Sequence, residues 1–283
     1  TEYLEPEAPF GESHGHVNLQ EFNAFMDVTA ITRRKDAILT SIISQVTPSE
    51  SSLIKLIGME PLFLNFLRNT LGIKGVKRVS MHEPLTNIRK VIAIICERDM
   101  PATEVWRAMY GAAVLHRAAG KFVIAINDDI DPTNADALLW AMSYRANASL
   151  DIHVLPHRDQ GHGPRSLRNG GQDASVLIDA TLKEDFPPIS LPKREYMERA
   201  KQIWEELGLP KLKPESPWFG YSLGEWGQEF DAMAERATRG DYMENADSLE
   251  QRRRSDVGMN TEVRRVDESA PKNSSSSKPK SRK

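Results

Sequence analysis

Several things are scarce in this chain, and each shortage excludes something. There is one cysteine, Cys96, in 283 residues. No internal disulfide can form, and a reducing compartment is expected. Cys96 closes the apolar run Val91-Ile92-Ala93-Ile94-Ile95, a setting that predicts a buried core thiol rather than a nucleophile. No apolar run reaches the ~20 residues that a membrane-spanning helix needs. The amino end shows no signal-peptide pattern. A cytoplasmic location without a membrane partner is the expectation. Neither sign of charge dominates: the net charge of −3 gives no global field toward nucleic acid or an anionic membrane. No G-x-G-x-x-G stands between a strand and a helix, so a dinucleotide fingerprint is absent. At 40% hydrophobic and 27% charged residues, the composition suits a globular protein of one or two domains.

What is present begins at once. Glu7-Ala-Pro-Phe-Gly-Glu12 sets two carboxylates across a Pro/Gly-stiffened turn and runs into Ser13-His14-Gly15-His16. Rigid carboxylates beside imidazoles can serve proton transfer, although two Glu at this spacing also occur as plain surface residues. Alternating Met26, Val28 and Ala30 predict a strand. The charged run Arg33-Arg34-Lys35-Asp36 then leads to a second apolar run, Ala37 to Ile43. A stiff loop feeding a hairpin is one way to present side chains at fixed positions.

Thr47-Pro48-Ser49-Glu50 predicts a helix start, with Thr47 as cap, Pro48 at the first position and Glu50 returning a bond. Helix should continue from Glu60 to Leu71 and stop at Gly72. From residue 76 the pattern changes. Strands are predicted at Val91–Cys96, Phe122–Ile126 and Ile152–Leu155. Helices opened by Pro101 and Pro132 should lie between them. That alternation predicts a parallel sheet covered by helices, with right-handed crossovers. Residues 157–192 read as an irregular Gly/Pro-rich loop, and Lys193 to Leu207 as an amphipathic helix ending at Gly208. Pro217-Trp218-Phe219-Gly220-Tyr221 and Trp226 suggest an aromatic docking segment. The stretch from about Asn245 is polar. Its basic, serine-rich end at 273–283 has the composition of a disordered tail. Asp128, Asp129 and Asp131 invite a metal assignment, but acids before Pro132 fit the start of a helix better. His162 has no partner at metal-ligand spacing.

Five ordered pieces resemble one family. They are Glu7-Ala-Pro-Phe-Gly-Glu12, Val28-Thr-Ala-Ile-Thr-Arg-Arg-Lys-Asp-Ala-Ile38, Asp128-Asp-Ile-Asp-Pro132 with Trp140-Ala and Arg145, Ile178-Asp-Ala-Thr181, and Trp204-Glu-Glu-Leu-Gly-Leu-Pro with Pro217-Trp-Phe-Gly-Tyr-Ser-Leu-Gly. Together they resemble the UbiD-type decarboxylases from about residue 3 to about residue 240. The resemblance implies prenylated FMN and reversible loss of a carboxyl group from an aromatic or α,β-unsaturated acid. Glu12 maps onto the family's proton donor and Glu7 onto its carboxylate partner. Lys121 maps onto a lysine that reaches the cofactor; on its own it also reads as a solvated lysine at a strand start. No residue here maps onto the metal site. A divalent cation (Mn2+ or Mg2+) and K+ would be held by an amino-terminal half not in this sequence, as would the catalytic arginine. Arg33 and Arg34 do not match that arginine. Arg33 stands where His is usual after Thr32, and Ala37 where Pro is usual.

The implied architecture is α/β. Residues 1–46 would end a split β-barrel cofactor domain, 47–74 would form a helical connector, 75–244 a Rossmann-like oligomerisation domain, and 245–283 a disordered tail. The expected partners are the small acid, further copies of the chain (a dimer or a ring of dimers) and a flavin prenyltransferase that supplies the cofactor. The 283 residues alone are expected to be inactive, either as the carboxyl-terminal portion of such an enzyme or as a complementing, non-catalytic subunit.

Overall fold

A computed structural model describes residues 3–12, 14–18, 21–82, 86, 89–158, 172–184, 186, 190–211 and 228–253. The chain divides into two units: residues 1–187 with 194–224, and residues 188–193 with 225–283.

The first unit opens with four short strands, β1 (Glu5–Glu7), β2 (Phe10–Gly11), β3 (Val17–Asn18) and β4 (Glu21–Asn23). They pair antiparallel as β1–β4 and β2–β3, a nested ribbon of two ladders. Residues 24–46 form no strand, so the strands expected around Met26–Ala30 and Ala37–Ile43 are absent. A strand exists only through a paired neighbour, and among the described residues this segment joins no ladder; its Ile43 carbonyl accepts only from the Ser51 N–H, at 3.4 Å.

Helix α1 (Glu50–Asn65) starts two residues later than Thr47 would place it. Ser49 is the cap. Its Oγ accepts from the Ser52 N–H at 3.3 Å, and Ser52 Oγ accepts from the Ser49 N–H at 2.9 Å. The Glu50 carboxylate accepts instead from the Ile43 N–H at 2.8 Å, tying the extended segment to the helix start. A π-helical turn, Phe66–Thr70, follows, and Gly72 ends it at φ +74°.

A five-stranded sheet follows: β5 (Val76–His82), β6 (Val91–Cys96), β7 (Phe122–Asn127), β8 (Ile152–Arg158) and β9 (Asp173–Asp179), in the order β5-β6-β7-β9-β8. The three central strands are parallel, while both edge strands run antiparallel to their neighbours. The sheet is therefore mixed, not all parallel. β5 and β9 were not expected from the sequence as strands. β9 displaces β8 from the position beside β7, because a strand buried on both faces gains more than an exposed one. β9 carries buried Ser175, Leu177, Ile178 and Asp179, whereas β8 carries exposed His153 and Val154. Pro156 is tolerated in β8 because an edge strand has one side without ladder partners.

Alternation along the central strands divides the core into two faces. Ile92, Ile94, Val123, Ala125 and Leu177 meet Phe63, Leu67 and helix α2 (Ala102–Leu115) through Val105, Ala108, Met109 and Ala112. Ala93, Ile95, Ile124, Ile126 and Ile178 meet helix α3 (Ala135–Arg145) through Ala137, Leu138 and Ala141. α3 starts later than Pro132 would place it. Asp131 closes a turn by accepting from Thr133 N–H and Oγ1, and Asn134 caps the helix through Asp136 and Ala137 N–H. Helix α4 (Arg194–Glu206) lies where periodicity places it, and Gly208 follows at φ +64°.

In the second unit, α5 (Gln228–Thr238) and α6 (Tyr242–Arg253) form a helical hairpin. Asn245 holds it by accepting from Arg236 Nε and donating to the Met233 carbonyl, both at 2.7 Å. α6 covers part of the stretch read as a polar tail.

Candidate functional site

The acidic motif sits on the nested ribbon. Glu7 ends β1, and its Oε2 accepts from Asn23 Nδ2 across the ladder at 2.5 Å. Glu12 follows β2 and opens a turn. Its N–H donates to the His16 carbonyl at 3.0 Å, and its carbonyl accepts from the Gly15 N–H at 2.9 Å. Glycine is required twice here. Gly15 has φ +85°, and a Cβ on Gly11 would meet the Ser44 carbonyl at 2.9 Å. The extended segment thus passes directly against the ribbon. Glu7 is exposed and Glu12 half-buried. Among the described residues no hydrogen bond or ion pair joins Glu7, Glu12 and Lys121.

Lys121 lies one residue before β7, where its ammonium pairs with Asp173 Oδ1 at the start of β9. Burial pushes the Asp173 carboxyl up, but the Lys121 bond, the Ala174 N–H and nearby Lys90 outweigh it and hold the group below its ordinary value.

The acids before Pro132 go to separate partners. Asp128 pairs with Lys77 at 2.5 Å; that bond lowers the Asp128 pKa and raises that of Lys77. Asp129 takes a two-pronged bond from buried Arg145, at 2.9 and 2.5 Å, and Trp140 lies beside the guanidinium at 5.3 Å. Among the described residues, no three His, Cys, Asp or Glu side chains are grouped as a metal would need.

The carboxyl ends of β6, β7 and β9 are where sheets of this kind usually take ligands. Here that edge is laced together. Buried Asn127 donates to the Cys96 and Glu97 carbonyls at 3.3 Å each and accepts from the Leu182 N–H at 2.7 Å. Asp179 Oδ1 accepts from the Thr181 N–H and Oγ1, and Lys183 reaches Asp179 and Asp151 at 3.4 and 3.3 Å. Sequence reading did not find Asn127 or Lys183; a lone Asn at a strand end gives no periodic signal. It also missed Trp106, Tyr110 and His153. His153 stacks on Trp106 with ring centres 4.2 Å apart, and its Nδ1 lies 2.7 Å from the Tyr110 hydroxyl. Cys96 is fully buried as expected, and burial pushes its thiol up to about 12, far from a reactive thiolate. His162, the aromatic segment 217–226 and the tail at 273–283 lie outside the described residues.

No helix among the described residues is long and apolar enough to cross a membrane. Residues 55–180 match the model of the 3-octaprenyl-4-hydroxybenzoate carboxy-lyase C-terminal domain. Two solved structures share the fold. One is the UbiD-class enzyme HmfF from Pelotomaculum thermopropionicum in complex with FMN, with a TM-score of 0.58 at 22% identity over 70% of this chain and 44% of that one. The other is the closed form of vanillic acid decarboxylase from Sedimentibacter hydroxybenzoicus, with a TM-score of 0.56 at 17% identity over 72% of this chain and 44% of that one. The chain therefore spans less than half the length of these structures. The α/β unit built around the five-stranded sheet is thus the part of this chain that resembles the carboxyl-terminal domain of the UbiD-type carboxy-lyases.

Proposed function

We propose that this chain belongs to a carboxy-lyase that removes, reversibly, the carboxyl group of an aromatic or α,β-unsaturated acid with the help of prenylated FMN. The observation that carries the reading is the family match over residues 55–180, which stands downstream of the ordered Glu7-Ala-Pro-Phe-Gly-Glu12 motif. A neighbour of the same fold is an evolved dimeric HmfF with prenylated FMN.

The described residues do not by themselves fit a flavin. Glu7 is bonded to Asn23, Lys121 to Asp173, and neither meets Glu12. In this reading the cofactor, its divalent metal and K+ are held largely by polypeptide beyond this sequence, against which the ribbon and the extended segment pack. A flavin bound there would supply the sink for the electrons released on carbon–carbon cleavage. Glu12 would supply the proton that replaces the departing carbon dioxide. Glu7 would supply the second carboxylate of the motif, and Lys121, now on Asp173, would be the cation offered to the cofactor. General acid catalysis of this kind is worth ~10²–10⁴-fold.

The complementing-subunit reading rests on the exposed apolar segment that holds Ile38 and Leu39, with the partner supplied as a separate chain. Native mass spectrometry of the protein from its source cells distinguishes the two. A longer chain carrying a flavin-sized adduct supports a single-chain decarboxylase. A chain of 283 residues without an adduct moves the search to a partner. In the assembled enzyme, Glu12→Gln should retain flavin and lower kcat by ~10²-fold or more. Unchanged turnover would remove Glu12 from the mechanism, and an unchanged rate in Glu7→Gln would leave the pair as surface charge.

A further inference from the structure

Oxygens at the carboxyl edge of the sheet converge on one cation, and that cation belongs to the chain. Lys183 Nζ donates to the backbone carbonyls of Asp179, Arg145 and Thr181 at 2.7, 3.1 and 3.3 Å. It also lies 3.3 Å from Asp151 Oδ2 and 3.4 Å from Asp179 Oδ1. An ammonium has three protons, so these oxygens share them. They come from three places in the fold. Arg145 ends α3, and its carbonyl is among those that a helix leaves without an internal partner at its negative end. Asp151 stands just before β8, and its carboxylate is held by the Asn147 N–H at 2.7 Å. Asp179 closes β9, and its carboxylate is held by the Thr181 N–H at 3.0 Å and Thr181 Oγ1 at 2.6 Å. The Asp179 N–H donates in turn to the Asp151 carbonyl at 2.9 Å. The oxygens are therefore fixed by bonds that do not involve Lys183.

We infer that this is a site for a monovalent, ammonium-like cation, filled from within by Lys183. The donor set fits that class. Backbone carbonyls that converge replace the hydration shell of a monovalent ion. The distances, 2.7 Å and longer, exceed the about 2.3–2.6 Å of calcium and the about 2.0–2.1 Å of magnesium. Two carboxylates face one ammonium here, so its removal leaves them without a counter-charge. A tethered cation outcompetes a free one through its effective concentration, so only a chain stripped of that ammonium should take one up from solution. The assignment also bears on where ligands go. The edge at which sheets of this kind usually take them is closed by the chain's own side chain, which ties the end of α3, the entry to β8 and the exit of β9 together. The inference is independent of the decarboxylase reading, which the Glu12→Gln assay tests separately.

The test is chemical rescue of the full chain. Lys183→Ala should lower the melting temperature by roughly 5 °C in choline chloride. Ammonium chloride at the same ionic strength, about 0.3 M so that screening is equal, should restore at least half of that loss. Lys183→Met, whose uncharged side chain still fills the space, should lose as much and not be rescued. Asp151→Asn added to Lys183→Ala should abolish the rescue, and the parent chain should not distinguish the two salts. The parent chain supplies a second check that needs no variant. The Lys183 and Lys201 side chains are similarly exposed, at 37% and 47%. Under limiting acetic anhydride, Lys183 should be acetylated at least ~10-fold more slowly than Lys201, the factor that one charge-assisted hydrogen bond represents. No loss in Lys183→Ala, equal recovery in choline and ammonium, rescue of Lys183→Met, or equal acetylation of the two lysines would each overturn the inference.

Discussion

The sheet unit and the segment at 24–46 are both rich in apolar residues, and they meet opposite fates. Ile92, Ile94 and Ile126 are fully buried between strands and helices. Ile38 and Leu39, in an equally apolar run, are 93% and 94% exposed. The difference is not composition. β6 has ladder partners on both sides and helices on both faces, whereas residues 24–46 have neither. An apolar run becomes core only where something closes over it, and among the described residues nothing closes over Ile38 and Leu39.

Four measurements would break or sharpen that contrast. The largest effect should come from Ile126→Ala, which empties a site packed by α3 and should cost about 3 kcal/mol in a denaturant titration. A loss below about 1 kcal/mol would mean that the sheet unit is not the stable half. Asp129→Ala leaves the Arg145 guanidinium buried without its carboxylate and should cost about 3 kcal/mol; Arg145 is only 4% exposed at its side chain. A smaller effect is expected from acid. The Asp173 carboxyl is held below its ordinary value of 3.8, so its contribution is present above pH 3.8 and fades as pH falls through the lower folded value. Asp173→Asn should flatten the fall in melting temperature over that window, and an identical fall in both proteins would discount the Lys121 pair. The smallest effect should be Leu39→Ser. In this chain alone it should change stability by less than about 0.5 kcal/mol, whereas in an assembly that covers the segment it should be costly. A large loss in the isolated chain would show that the segment is already packed.

Much of the sheet unit was legible. β6, β7, α2 and α4 follow from continuous apolar runs, helical spacing and the Gly that ends a helix. The site was less so. Glu7, Glu12 and Lys121 were named from a motif, but spacing does not say which partner a side chain will take. Lys121 found Asp173 and Glu7 found Asn23, both far away in sequence. The acids at 128–131 were expected to serve a helix start; Asn134 caps that helix instead, and Asp128 and Asp129 pair with Lys77 of β5 and Arg145 of α3.

The sequence by itself determined the local elements and the two-faced alternation of the central strands, because both depend on neighbours a few residues apart. Tertiary structure alone decided strand order and direction. It seated β9 inside the sheet and left β8 at its edge, since that choice depends on which strand has two faces to bury. It also decided that the run at 24–46 stays extended. Hydrophobicity states a need for cover, but only the presence of a partner surface can satisfy it.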